Sequence, residues 1–396
     1  MPVTLHIRKD HEKPLARRHP WVFSGAVERI EKEEGAEPQA GDVAICRATD
    51  GRFLAAGFIS PKGSLIFRAY SFDEKVPVDD ALLAHRIARA VARRLPLVPR
   101  ATNAYRLVHA EADDLPGLVV DRFGGTVVCQ VTAAGIARRI EAIGAALNAE
   151  LSPQAIVVRT PRRQAQEEGI AQGTRALVGE MPSGPVAFTE HGVSFLADLG
   201  AGQKTGFYLD QRDHRRLVRE LASGRRVLDA FCYTGGFGVS AALGGAAHAT
   251  CGDTSQPARD LARSHFEING VPPERFATLC ADVPQYLRQE VGPFDLIVLD
   301  PPPLAHGRST VQAAARAYKD YNLFALKRMA PDGLLVTFSC SQAIDADLLS
   351  KILFGAALDA GVEARVLARL AQPFDHPVSL YHPEGEYLHG LLIQVG

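Results

Sequence analysis

The stretch VLDAFCYTGGFGVSAALGG, residues 227–245, decides how the rest of the chain is read. It opens with a short apolar run ending at Asp229 and passes through an aromatic and hydroxyl segment to Gly235, Gly236 and Gly238. Small apolar residues then resume at helical spacing. The pattern predicts a strand, a tight glycine turn and a helix. Glycines let the backbone turn and approach a ligand closely, because a Cβ would block both the turn and the contact. A second short strand over 247–251 leads to Asp253, where a carboxylate can accept both hydroxyls of a ribose. The stretch therefore points to a nucleoside-containing cofactor.

What the loop lacks narrows the choice of nucleoside. The dinucleotide fingerprint needs G-x-G-x-x-G with a helix N-terminus facing a pyrophosphate. Here the spacing is G-G-x-G, and Asp229 and Tyr233 crowd the loop. A carboxylate repels a pyrophosphate and attracts the ammonium of an amino acid. S-adenosylmethionine carries that ammonium, a ribose and no phosphate, so the loop favours it over NAD. A glycine-rich turn that binds nothing is the plainest alternative.

Beyond Asp253 helices and strands alternate. A helix is predicted over 256–269, a strand over 277–280 with Asp282 just past it, a further helix, and a strand over 296–299 closed by Asp300-Pro301-Pro302-Pro303. A helix over 311–329 follows, then a strand over 334–338 running into Ser339-Cys340-Ser341, a helix over 345–360, and strands over 362–370 and 388–395. This is the pattern of an α/β, doubly wound, mostly parallel sheet, in which ligands sit at the carboxyl ends of the strands. Asp229, Asp253, Asp282, Asp300 and Cys340 all fall there. Tyr233, Thr234, Gly235, Thr254 and Ser255 share that edge as candidate cofactor contacts, with Asp282 facing the adenine amino group. Upstream, Phe207, Tyr208, Gln211 and Arg212 introduce a helix to Leu221 and suggest a lid over the cofactor.

The ends of the strands also suggest a reaction. Two prolines after Asp300 stiffen the turn and aim its carboxylate. Carbon 5 of a pyrimidine becomes a nucleophile once a thiolate adds at carbon 6, and Cys340 is placed to add while Asp300 bonds the ring nitrogen or amino group of cytosine. A base must then take the carbon-5 proton; Glu384, Glu386 and His389 are candidates, with Glu384 favoured. Against this, a cysteine at a strand end is commonly inert packing. Cys232, inside the glycine loop, reads as structural.

At 396 residues, two or three domains are expected. The net charge of −1 carries no global nucleic-acid signal, but Arg8, Lys9, Lys13, Arg17, Arg18 and Arg29 cluster near the start, and Arg86, Arg89, Arg93, Arg94 and Arg100 follow. Such clusters suit phosphate contact or a solvated helix face. The cysteines show no C-x-x-C pairing, so no metal is expected. Without a signal peptide or membrane-length apolar run, the chain reads as cytosolic. Strands over 21–23, 43–46, 53–59 and 65–70 make a small β domain, with 28–37 as an exposed loop. An α/β module follows, in which Asp113, Asp114 and Asp121 read as structural more readily than catalytic.

The motifs KTGFYLDQR (204–212), DAFCYTGGF, DTS (253–255), DPP (300–302), AYKDYN (317–322), TFSCS (337–341) and HPEGEYLHG (382–390), with HPWVFSGA (19–26) and EADDLPGLVVDRFG (111–124) upstream, resemble the RlmI-type 23S ribosomal RNA cytosine-C5 methyltransferases. The similarity runs through essentially the whole chain in order. It implies a PUA-like RNA-binding domain over 1–74, a central α/β (EEHEE-like) domain over 75–190 and a Rossmann-like S-adenosylmethionine-dependent methyltransferase domain over 191–396, with Cys340 at the nucleophile position. The implied partner is 23S ribosomal RNA before full subunit assembly, and the implied state a monomer or homodimer. The chain departs from the family in Pro303, where Lys is common, and in Asp229, where Asn is frequent. Other readings are a methyltransferase for another RNA base or a small molecule, with Cys340 structural, and a non-catalytic ribosome-assembly factor.

Overall fold

Buried charge, as much as apolar burial, decides which segments fold together. The computed structural model describes residues 3–32, 37–200, 202–305 and 307–396. The chain forms two compact units, the first from 1–188, 197–209 and 374–385, the second from 189–196, 210–373 and 386–396.

The first unit holds two sheets. The six-stranded one runs, edge to edge, Trp21–Phe23, Leu65–Ser71, Phe53–Ile59, Val43–Arg47, Val3–Ile7, Val27–Glu31. Two of its strands were not legible in the sequence. Residues 28–31 are expected as part of a loop over 28–37, but Val27–Glu31 pairs antiparallel with Val3–Ile7. Its side chains are mostly exposed, so an edge strand leaves no apolar alternation to read; residues 33–36 of that loop lie outside the described residues. The five-stranded sheet spans Ala104–His109 to Gly173–Val178. Phe58 and Tyr70 of the first sheet share one core with Leu83, Ile87, Leu107 and Ile136, which unites residues on both sides of the boundary expected at 74.

Segments 197–209 and 374–385 were expected inside the third domain, yet they pack in the first unit. Arg106 grips Asp121 through Nε and Nη2 at 2.8 and 2.9 Å, and the Thr205 hydroxyl donates to the same carboxylate at 2.6 Å. Arg94 forms a two-bonded pair with Asp113, each contact 2.6 Å, and also donates to the Asp375 carbonyl. The Asp375 carboxylate accepts from the Arg106 amide at 2.9 Å. All five side chains involved besides Thr205 are buried, and stranding one member of such a network costs several kcal/mol, typically about 3–5. Asp113 and Asp121 are thus structural ion-pair partners.

In the second unit, seven strands form one sheet: β1 (Arg226–Ala230), β2 (His248–Asp253), β3 (Phe276–Cys280), β4 (Phe294–Leu299), β5 (Met329–Ser339), β6 (Ala364–Ala371) and β7 (His389–Val395). Their order is 3-2-1-4-5-7-6. Strands β1 to β5 are parallel, and β7 pairs antiparallel with both β5 and β6. The helices are α1 (Arg212–Leu221), α2 (Gly236–Leu243), α3 (Gln256–Ile268), α4 (Val283–Arg288), α5 (Val311–Lys327) and α6 (Ala346–Ala360). Neighbouring strand residues bury on opposite faces: Leu228 and Ile297 join Tyr318 and Leu353 on one side, while Val227 and Leu296 join Val218 and Phe237 on the other. A parallel sheet covered on both faces needs such continuous apolar runs. Strand order reverses between β1 and β4, the place where doubly wound sheets open a crevice for ligands.

Candidate active site

The glycine loop joins β1 to α2. Phe231, Tyr233 and Gly235 take φ of 61°, 49° and 72°, and the left-handed turn at Gly235 suits glycine. A Cβ on Gly238 would stand 2.2 Å from Cys251 Sγ, and one on Gly235 2.9 Å from Ala262 Cβ. The sequence suggested that these glycines admit a ligand; the contacts show them admitting β2 and α3. That packing brings the Gly238 amide to Asp229 Oδ2 at 2.9 Å.

Asp229 is fully buried, and its Oδ1 has no hydrogen-bond partner among the described residues. Burial pushes its carboxyl up to about 7; the Gly238 amide pulls the other way, and the charges of Asp300 and Asp253 add to the rise. An orphaned buried carboxylate oxygen is costly unless a donor arrives. The ammonium of S-adenosylmethionine supplies one, so the residues present fit the cofactor.

Asp253, ending β2, accepts from the Tyr233 amide at 3.0 Å and from the Ser255 amide at 2.8 Å. Each oxygen retains a second lone pair for a ribose hydroxyl. Ser255 caps α3 by accepting from Ala258, while Thr254 is exposed. Thr234 is buried and its carbonyl accepts from His265 Nδ1 at 2.8 Å; His265 Nε2 accepts from the Leu196 amide at 2.9 Å. That pair of bonds fixes a neutral tautomer, and burial lowers its pKa to about 4. Asp282 is exposed and caps α4 by accepting from the Gln285 amide at 3.0 Å.

At the ends of β4 and β5 the register sets Leu299 beside Thr337. Cys340 Sγ lies 3.7 Å from the Pro301 carbonyl and is half-buried. Asp300 Oδ2 accepts from Gln211 Nε2 at 3.0 Å. The Ser341 hydroxyl accepts from the amides of Leu304 and Ala305 at 3.0 and 3.2 Å and meets the Tyr318 hydroxyl at 3.2 Å. Ser341 and Tyr318 therefore tie the segment after the proline turn to β5 and α5. Neither received a role from the sequence, although a tyrosine on the buried face of a helix, needing a partner for its hydroxyl, was a usable signal.

The remaining expected contacts are distributed over both units. Arg212 is fully buried, donating to Asp213 at 3.3 Å, and Arg215 is buried against Glu190. Helix α1 thus buries one face through Arg212 and Arg215. Phe207 and Tyr208 belong to the first unit, where Phe207 packs on Phe188 and Tyr208 donates to Gln203. Glu384 also lies in the first unit, its carboxylate 3.2 Å from His19 Nε2.

A 3-2-1-4-5-7-6 sheet that reverses order between β1 and β4, with acids at the ends of β1 and β2, is the architecture of an S-adenosylmethionine-dependent methyltransferase, and the model of that family matches residues 166–378. A PUA-like domain model matches residues 5–72. Ribosomal RNA large subunit methyltransferase I of Aeromonas salmonicida is 41% identical over 100% of both chains, and that of Klebsiella pneumoniae 39% over 99% of this chain and 98% of its own. The chain belongs to the ribosomal RNA large subunit methyltransferase I family. Among solved structures, a protein from Streptococcus mutans assigned as an S-adenosylmethionine-dependent methyltransferase superimposes over 100% of both chains with a TM-score of 0.83 at 21% identity. Another methyltransferase structure, solved with S-adenosylhomocysteine, does so over 100% of both chains at 0.85 and 22%. Among the described residues no helix is long and apolar enough to cross a membrane.

Proposed function

We propose that the chain methylates carbon 5 of a cytosine in 23S ribosomal RNA, with Cys340 as nucleophile. The names of its relatives support the RNA substrate. The observation that carries the chemistry is the half-buried Cys340 thiol, 3.7 Å from the Pro301 carbonyl beside Asp300. Bound S-adenosylmethionine supplies an electrophilic methyl group. Asp229 holds its ammonium, Asp253 the ribose hydroxyls and Asp282 the adenine amino group. The Cys340 thiolate adds to carbon 6, and the electron pair of the 5,6 double bond makes carbon 5 nucleophilic. Asp300, steadied by Gln211, accepts from the cytosine amino group. After methylation a base removes the carbon-5 proton, the double bond re-forms and the thiolate leaves. Because His19 engages the Glu384 carboxylate, Glu386 and His389 are the better candidates for that base; His389 pairs with Ser339, next to Cys340. The target base must leave its stack, which favours RNA not yet enclosed in a finished subunit.

The test is a 23S ribosomal RNA fragment carrying 5-fluorocytosine. Fluorine cannot be removed as a proton, so the wild type should accumulate a covalent complex. Cys340→Ala should form none while still binding cofactor. Normal turnover by Cys340→Ala, with Asp300→Ala the more damaging change, would indicate transfer to nitrogen instead.

A further inference from the structure

The two His-Pro motifs, His19-Pro20-Trp21 and His382-Pro383-Glu384, have no part in the proposed reaction, yet both lie in the first unit and converge there. His19 Nε2 is 3.2 Å from Glu384 Oε2, and His382 Nε2 is 3.9 Å from the same oxygen. One ligand atom from each of the three residues lies within 4.8 Å of the others. His382 is only 5% exposed, and its Nε2 is buried with no hydrogen-bond partner among the described residues. A ring nitrogen taken out of water needs something to bond. Gly385 closes the turn by donating to the His382 carbonyl at 3.1 Å, and the Trp21 ring packs edge-on against His382 with centroids 4.4 Å apart. The orphaned nitrogen is therefore held in place.

We propose that His19, His382 and Glu384 bind a divalent transition metal of the zinc class. Two imidazoles and a carboxylate are the donor set such ions prefer, whereas magnesium and calcium prefer oxygen throughout. With metal–ligand bonds of about 2.0–2.2 Å, the edges of a tetrahedral shell are about 3.4 Å; the two histidine–carboxylate spacings, 3.2 and 3.9 Å, bracket that value, and the third lies within 4.8 Å. Three protein ligands leave a fourth position, and the partly exposed Glu384 side chain keeps that side open to solvent. Binding requires one proton to move. His19 Nδ1 accepts from the Trp21 amide at 3.2 Å, so in the metal-free protein Nε2 carries the proton and donates it to Glu384. Metal at Nε2 shifts that proton to Nδ1, and the long contact from the Trp21 amide is given up. The sequence suggested no metal because its cysteines are scattered; this donor set joins residues more than 360 positions apart and has no ligand spacing to read.

Trp21 is the only tryptophan in the chain, and its Nε1 donates to Glu111 at 2.8 Å, fixing the indole beside His382. Its emission therefore reports on the site. Untagged full-length protein, stripped with a chelator, is titrated with nickel. A saturable quench at one equivalent is expected, reversed by competing zinc. His382→Ala and Glu384→Gln should each weaken the binding at least ~tenfold; Glu384→Gln keeps the side chain's size, so it separates loss of the ligand from loss of the fold. An unsaturable or absent quench in the wild type, as expected if water satisfies His382, overturns the site. So does an equal quench in Glu384→Gln and wild type.

Discussion

Replacing Asp229 by Asn should change stability and cofactor affinity in opposite directions, each with its own pH dependence. The side chain is fully buried, accepts one backbone bond from Gly238 and leaves Oδ1 without a partner among the described residues. Its carboxyl sits at about 7 instead of 3.8, chiefly because of burial. Below the unfolded value both states are protonated and the group is neutral in its effect. Between the two values the unfolded chain has released its proton and the native one has not, so rising pH favours unfolding; above about 7 the cost is constant. It amounts to at most about 4 kcal/mol, and roughly 3 kcal/mol of it accrues between pH 5 and pH 8. Asn has the same shape, keeps an oxygen for Gly238 and carries no charge. In the absence of cofactor, urea denaturation should find Asp229→Asn gaining on the wild type as pH rises from 5 to 8. Cofactor binding runs the other way, since an ionised carboxylate attracts an ammonium more strongly than a neutral carboxyl or amide oxygen does. Calorimetric titration with S-adenosylmethionine should show wild-type affinity climbing between pH 5 and pH 7, by up to about 50-fold, while the variant binds more weakly with no such climb. A stability gap that does not change with pH, or an Asn variant that binds cofactor like the wild type, would refute both the burial argument and the assignment of the ammonium.

Three further outcomes follow from particular contacts. Gly238→Ala places a Cβ 2.2 Å from Cys251 Sγ; thermal unfolding should show a loss of at least ~1–3 kcal/mol, and adding Cys251→Ala should restore most of it, whereas no restoration would mean that the clash lies elsewhere. Ser341→Ala removes the hydroxyl that joins Leu304, Ala305 and Tyr318, and should lower turnover on RNA about tenfold or more with cofactor affinity intact; an equal loss of cofactor affinity would place Ser341 in the wrong half of the site. RNA binding should weaken steeply with salt, and changing the exposed Lys13 and Arg17 to Gln should flatten the slope by about two; filter binding across a salt series measures this, and an unchanged slope would take the phosphates away from those two side chains.

Local sequence carried most of the methyltransferase sheet. Most strands of that sheet hold a short apolar run, and Asp229, Asp253, Asp282, Asp300 and Cys340 stand at or just beyond strand ends, where the run stops. The edge strand Val27–Glu31 was missed for the opposite reason: one partner and open solvent impose no alternation. Arg212 is offered by the sequence as a polar cofactor contact; its full burial was not legible, because composition places guanidinium groups outside and only three-dimensional packing reveals one that is buried.

The larger miss concerns which residues fold as a unit, and it has one physical origin. Thr205 reaches back to Asp121, Asp375 to the Arg106 amide, and Glu384 to His19, across separations of 84, 269 and 365 positions. Polar contacts of this range leave no periodicity, and a buried ion pair forms only when both partners already have a reason to be inside. The acids of EADDLPGLVVDRFG and the second His-Pro motif were visible as motifs, but their physical role was not. Asp113 and Asp121 neutralise the buried Arg94 and Arg106. Glu384 answers to a histidine near the start of the chain. A motif shared through a family marks a constraint without saying whether chemistry or packing imposes it. In this chain the proposed function assigns the constraint at β1, β4 and β5 to chemistry, whereas that at 113, 121 and 375 holds segments from three parts of the sequence in one folded unit.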